Sequence, residues 1–152
     1  PLDQFSFDSC MSKDYLIQAH WALYCDNYLE GFHIPFVHEG LNKVPHYGSY
    51  ATELHKYSSL QIGYSDDAKE TFDLPKDHID YGKQVAAYYY WVFPNMMFNF
   101  YPWGLSVNIV KPISINRTKV SFLTYVYDHS KLHKGAGNDI DKIIPKSGST
   151  LF

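Results

Sequence analysis

The sequence predicts a single α+β domain: an N-terminal helix followed by a twisted antiparallel sheet. Three observations carry this expectation. Apolar residues near the start (Tyr15, Leu16, Ala19, Ala22, Leu23) recur at helical spacing. From about residue 84 onwards, aromatic and β-branched runs alternate with turn residues. The 152 residues, 45% of them hydrophobic, suffice for one sizeable core but not for two.

In chain order, residues 1–13 (PLDQFSFDSCMSK) read as an irregular lead-in, and a helix follows from about Lys13 to Ile34. Pro35 lacks an N–H and clashes with the carbonyl four residues back, so the helix ends or kinks there. Gly40, Asn42 and Pro45 open a loop. Ser49–Tyr64 is half polar and strand-like, and the charged stretch 65–82 with Pro75 reads as a surface loop holding a helical turn. Three stronger strand regions follow. They are Gln84–Phe93, Met96–Val110 (broken at Pro102 and Gly104) and Thr118–Tyr127, with turns at Pro94-Asn95 and Asn116-Arg117. The tail from His129 is polar. Four or five antiparallel strands are expected, with one face needing cover that a single helix only partly supplies. Tyr88, Tyr90, Phe98, Phe100 and Trp103 alternate as one sheet face, which would serve as core and could also line an apolar cavity.

Composition narrows the function classes. The net charge of −3 comes without a basic patch or an arginine-rich stripe, so neither nucleic acid nor a lipid surface is an expected partner. No run of 18 apolar residues is present, so no membrane span is expected. Cys10 and Cys25 read as free thiols rather than a disulfide framework, which points to a reducing, cytoplasmic setting. Pro1 in place of a starting Met points to a piece of a longer protein.

Chemistry concentrates between Asp26 and His38. On a helix Glu30 and His33 would share a face. His38 lies five residues beyond His33, and a break at Pro35 would turn it back toward its neighbour. Two imidazoles and a carboxylate would then ligate one side of a metal, the facial arrangement of non-haem Fe(II) oxygenase sites. Spacing alone leaves two unrelated histidines as the alternative.

The segment WALYCDNYLEGFHIPFVHEGL, Trp21 to Leu41, resembles the iron-binding motif of the Rieske non-haem iron oxygenases, in particular the aromatic-ring-hydroxylating and choline-monooxygenase-like catalytic domains. FPNMMFNFYPWGLSVNIVKPI (Phe93–Ile113) and LTYVYDHSKLHKGAGNDIDKI (Leu123–Ile143) resemble further parts of the same domain, in the same order, so the likeness covers nearly the whole chain. The resemblance implies a helix-grip fold (a curved antiparallel sheet with helices), with residues 1–152 forming one partial catalytic domain. It implies Fe(II) held by His33 and His38, with Glu30 as the carboxylate bridging to a neighbouring subunit's cluster and Asn27 near the metal. It further implies a small aromatic or quaternary ammonium substrate, O2, an electron-donor protein and a homotrimer.

The sequence departs from that family twice. The family's third ligand is an Asp in an acidic pair beyond the stretch matching Gly135–Ile143, where this chain has Ile144-Pro145-Lys146-Ser147-Gly148. Asp139 and Asp141 are the nearest carboxylates, and the family's long C-terminal helix has no counterpart, which would leave apolar surface exposed. A Rieske [2Fe–2S] centre needs two Cys and two His, and Cys10 and Cys25 have no His at suitable spacing, so no such cluster is expected in this chain. A helix-grip ligand-binding module without redox chemistry is therefore the second reading. Asp128, His129 and His133 form a further candidate cluster, with a solvated turn as the favoured reading.

Overall fold

The computed structural model describes residues 2–30 and 50–136. Seven strands form one antiparallel sheet: β1 (Ser6–Ile17), β2 (Tyr50–Leu54), β3 (Ser58–Tyr64), β4 (Val85–Val92), β5 (Met96–Tyr101), β6 (Gly104–Ser114) and β7 (Arg117–Val126). The one α-helix among the described residues is α1 (Trp21–Leu29). Strands β2 to β7 run as a meander, and β1 closes the far edge against β7, giving the order β1-β7-β6-β5-β4-β3-β2. The chain between β1 and β2 therefore links opposite edges of the sheet, about 29 Å apart at ordinary strand spacing. Helix α1 is the described part of that crossing.

The strands and turns expected beyond residue 84 are present, and the break near Pro102 and Gly104 separates β5 from β6. The half-polar stretch before them is a hairpin, β2 and β3, paired Tyr50↔Gly63 through Leu54↔Ser59. The N-terminal expectation is corrected. Residues 6–17 are a strand, not an irregular lead-in, and the helix is nine residues long, starting at Trp21 and ending at Leu29. The helical spacing of Tyr15, Leu16 and Ala19 loses to pairing with β7, which takes Lys13–Ile17 into register with Thr118–Phe122. Alternation then holds: Tyr15 and Ile17 turn inward while Leu16 is 61% exposed. The strand signal was weak because β1 shifts register between Asp8 and Lys13, where Asp8 points inward and is fully buried.

Both faces of the sheet carry core. On one face α1 presents Trp21, Tyr24, Cys25 and Tyr28, spaced by three and four, to Met97, Val110, Val120 and Phe122. On the other, Leu60, Ile62, Tyr88 and Tyr90 pack under Phe72 and Leu74, so the 65–82 loop supplies core residues as well as surface charge. Asp80 anchors that loop. It is 5% exposed and accepts hydrogen bonds from Lys83 Nζ at 2.7 Å and from the Tyr88 hydroxyl at 2.9 Å. The Lys83 hydrogen bond, opposed by burial and aided by Tyr88, holds the Asp80 carboxyl below the usual carboxylate range, while burial and the facing carboxylate push the Tyr88 phenol up. Gly104 begins β6 where the backbone of β7 crosses closely, and a Cβ there would overlap the Tyr125 carbonyl oxygen.

Two outcomes follow from this packing. Gly104→Ala should destabilise the fold by about 1–3 kcal/mol through overpacking against backbone, read as a lower midpoint in chemical denaturation with unchanged slope. Because its folded pKa is depressed, Asp80 contributes stability that is present above the unfolded value of about 3.9 and lost as pH falls through the lower folded value. Asp80→Asn should therefore cost about 1–3 kcal/mol at neutral pH and flatten the acid limb of the stability curve. An unchanged acid limb would exclude this role.

Candidate functional site

Helix α1 is built to deliver its C-terminal end to one place on the sheet. Its start is capped by His20, whose Nδ1 accepts from the Ala22 N–H at 3.3 Å. Its inner face is as polar as it is apolar. The Tyr28 hydroxyl donates to Asn99 Oδ1 at 2.7 Å, and Asn108 Nδ2 donates to the Tyr24 hydroxyl at 3.4 Å. Asn99 and Asn108 are each 5% exposed, so these bonds satisfy amides that would otherwise lie unpaired. Burial pushes the Tyr24 phenol far up, so it is a neutral hydrogen-bonding group at all ordinary pH.

The last turn is held from outside. Gln61 of β3 donates through Nε2 to the carbonyls of Tyr28 at 3.4 Å and Leu29 at 3.5 Å, two of the acceptors that a helix end leaves open. Glu30 is extended (φ −105°, ψ 148°) and its N–H closes on the Asp26 carbonyl at 3.1 Å. Gly31, a residue type favoured past a helix end, follows in sequence. The helix thus stops at Leu29, and His33, expected to share a helical face with Glu30, lies outside the described residues.

Of the expected site residues, Asn27 lies half-buried on α1 and Glu30 half-buried at its C-cap. His33, His38, Asp139 and Asp141 lie outside the described residues. Asp128, His129 and His133 do not assemble into a cluster, in keeping with the favoured reading as a turn. Asp128 accepts from the Ser130 N–H at 2.9 Å, the His129 ring meets Ser6 Oγ at 3.2 Å, and His133 turns to Asp8.

Of the aromatic set, only Trp103 departs from the expected shared face. Tyr88, Tyr90, Phe98 and Phe100 share a face (Tyr88↔Phe100, Tyr90↔Phe98), but it is the face away from α1. Trp103 lies in the β5–β6 turn and stacks on Tyr101 at 5.2 Å and 9°. The aromatics on α1's face are the intervening ones. Tyr89 pairs in the ladder with both Gln61 and Asn99, the two residues that hold the end of α1, and its ring meets Tyr101 edge-on at 5.9 Å. Tyr89, Tyr101 and Trp103 thus form an aromatic row beside the helix exit.

On the other side of that exit an open groove of about 610 Å³ is lined by Leu29, Leu54, Tyr57, Ser59, Gln61 and Trp91. The Ser59 hydroxyl beneath it is buried without a partner among the described residues. Burial pushes the Cys25 thiol up, and its Sγ donates to the Pro94 carbonyl at 3.7 Å.

Residues 6–139 match the family described as ring hydroxylating alpha subunit (catalytic domain). The chain belongs to this family. Over 129 residues it is 34% identical to the chloroplastic choline monooxygenase of Arabidopsis thaliana, a match covering 80% of this chain and 28% of the relative. A quaternary ammonium Rieske monooxygenase crystallised with an inhibitor superposes with a TM-score of 0.71 at 17% identity, over 93% of this chain and 35% of that one. Naphthalene 1,2-dioxygenase from Rhodococcus sp. gives 0.63 at 14% identity, over 91% and 42%. The ring-hydroxylating catalytic domain has the helix-grip α+β fold seen here, with α1 against the sheet. The chain spans only about a third of the length of these relatives. No described helix is long and apolar enough to cross a membrane.

Tyr28→Phe should leave Asn99 Oδ1 buried without its donor and cost about 1–3 kcal/mol. Thermal or denaturant unfolding checks this, and a loss below about 0.5 kcal/mol would mean that the bond does not anchor the helix.

Proposed function

We propose that this chain is the catalytic domain of a mononuclear non-haem iron oxygenase that hydroxylates a small organic compound, with a quaternary ammonium substrate favoured. The observation that carries the reading is the exit of α1. Gln61 and Tyr28 fix the helix end from which Glu30 leads, in sequence, to His33 and His38, within a family match spanning residues 6–139.

The donor set fits Fe(II). Two imidazoles with one carboxylate match the ligand chemistry of such centres, and this stretch offers the two imidazoles. His33 and His38 would hold the metal through neutral ring nitrogens, with Asp139 and Asp141 as this chain's candidates for the carboxylate. When bound, the iron supplies the one-electron chemistry by which O2 is activated for insertion into substrate. Asn27, half-buried one turn before the exit, would orient a ligand by hydrogen bonding. Glu30 would accept a hydrogen bond from an imidazole of a neighbouring subunit's Rieske cluster, so electrons arrive from outside residues 1–152. Inter-subunit electron transfer is described for a quaternary ammonium Rieske monooxygenase of similar fold, and a homotrimer would supply such a neighbour.

The substrate class rests on two supports. The relatives above include choline and quaternary ammonium monooxygenases. The row of Tyr89, Tyr101 and Trp103 beside the helix exit offers π faces to a cation that cannot donate hydrogen bonds.

Anaerobic Fe(II) titration with metal analysis and Zn(II) competition tests the proposal. One Fe(II) per chain should bind, and His33→Ala or His38→Ala should weaken binding on the order of a hundredfold. Iron content unchanged in the double variant would overturn the metal assignment. Absence of binding in the unsubstituted chain would favour a ligand-binding module without redox chemistry.

A further inference from the structure

The register shift in β1 gathers metal-ligating groups far from the end of α1. Asp8, Cys10 and His133 each bring a ligand atom within 4.8 Å of the others. The first two sit in the bulge of β1, and His133 comes from the segment after β7, 125 residues from Asp8. Asp8 is fully buried, whereas Cys10 and His133 are exposed, so the cluster has a buried base and an open mouth.

The buried carboxylate organises the group. Asp8 Oδ1 accepts from the N–H groups of Cys10 at 3.1 Å and Met11 at 3.3 Å. Its Oδ2 accepts from the His133 N–H at 2.7 Å, and the His133 ring reaches Oδ1 through Nδ1 at 2.9 Å. The fold also holds His133 in the left-handed region, at φ 59°, a conformation unusual for a residue with a side chain. Strain of that kind persists where surrounding contacts over-determine the residue. A buried carboxylate, an exposed thiol and a half-exposed imidazole thus converge on one point.

We propose that Asp8, Cys10 and His133 form a binding site for a divalent metal of the zinc class, tying the bulge of β1 to the segment after β7. A thiolate, an imidazole and a carboxylate are the donor types of zinc, with water in the fourth position, and the thiolate disfavours the hard cations calcium and magnesium. Ligand atoms around tetrahedral zinc stand roughly 3.3–3.7 Å apart, inside the span from the 2.9 Å Asp8–His133 contact to the 4.8 Å limit. Small side-chain rotations therefore suffice. Binding releases the Cys10 thiol proton to solvent and leaves the metal's oxidation state unchanged. The backbone N–H groups of Cys10 and Met11 stay on Asp8 as supporting hydrogen bonds.

The site is independent of the iron reading, and its test keeps the two apart. The full chain carrying His33→Ala and His38→Ala would be titrated with Co(II) and Zn(II). One Co(II) should bind with tetrahedral d–d bands and a thiolate charge-transfer band, Zn(II) should displace it, and metal should raise the melting temperature. Cys10→Ser should abolish the charge-transfer band, and His133→Ala should weaken binding on the order of a hundredfold or more. Both positions are exposed, so the variants should fold, with circular dichroism as the check. Lack of the charge-transfer band in the folded chain, or affinity unchanged by His133→Ala, would overturn the proposal.

Discussion

The hydrogen bond from Tyr28 to Asn99, with Gln61 on the carbonyls of Tyr28 and Leu29, is the contact on which the placement of α1 depends. Topology makes it so. With β1 and β2 at opposite edges, the chain between them must traverse a face of the sheet, and apolar contact alone would let a nine-residue helix slide along that traverse. Hydrophobic burial is non-directional. The buried amides of Asn99 and Asn108 are not. Each must find a tyrosine hydroxyl, and each hydroxyl lies at one position on the helix. The polar inner face specifies register, while Trp21, Cys25, Met97 and Val120 supply burial.

The same division shows which parts of the fold were legible in the sequence. Strands β4 to β7 carry aromatic and β-branched runs bounded by Pro94-Asn95, Pro102 and Asn116-Arg117, and local signals sufficed. Strand β1 did not announce itself. Its inward residue at the bulge is the carboxylate Asp8, and its apolar positions mimic a helical period. What makes it a strand is β7, more than a hundred residues away in sequence, and no local window contains that partner. The end of α1 was misplaced for a related reason. Pro35 is a visible stop, but Gln61 takes the helix carbonyls six residues earlier, at Leu29, and that contact is tertiary.

The candidate site divides likewise. The motif from Asn27 to His38 was readable because its residues are contiguous and resemble a known pattern. The shared face of Tyr88, Tyr90, Phe98 and Phe100 followed from alternation, but which face meets α1 did not, because β4 has aromatic residues at four successive positions. The Asp8–His133 pairing was out of reach, since its members belong to opposite ends of the described chain and only the β1–β7 ladder brings them together.

The energies involved show why such small contacts matter to chemistry more than to stability. A net hydrogen bond contributes about 1 kcal/mol, and the two from Gln61, at 3.4 and 3.5 Å, are at the long end of the range. Losing them would not unfold a domain whose core includes Met97, Val110, Val120 and Val126, all fully buried. Yet extending a helix by one residue rotates the departing chain by about 100° and advances it by about 1.5 Å. A ligand pair must be held to about half an ångström to bind a metal well. The position of the helix end is therefore set by weak, directional bonds from a neighbouring strand, and those bonds, rather than the core, decide where Glu30 is aimed.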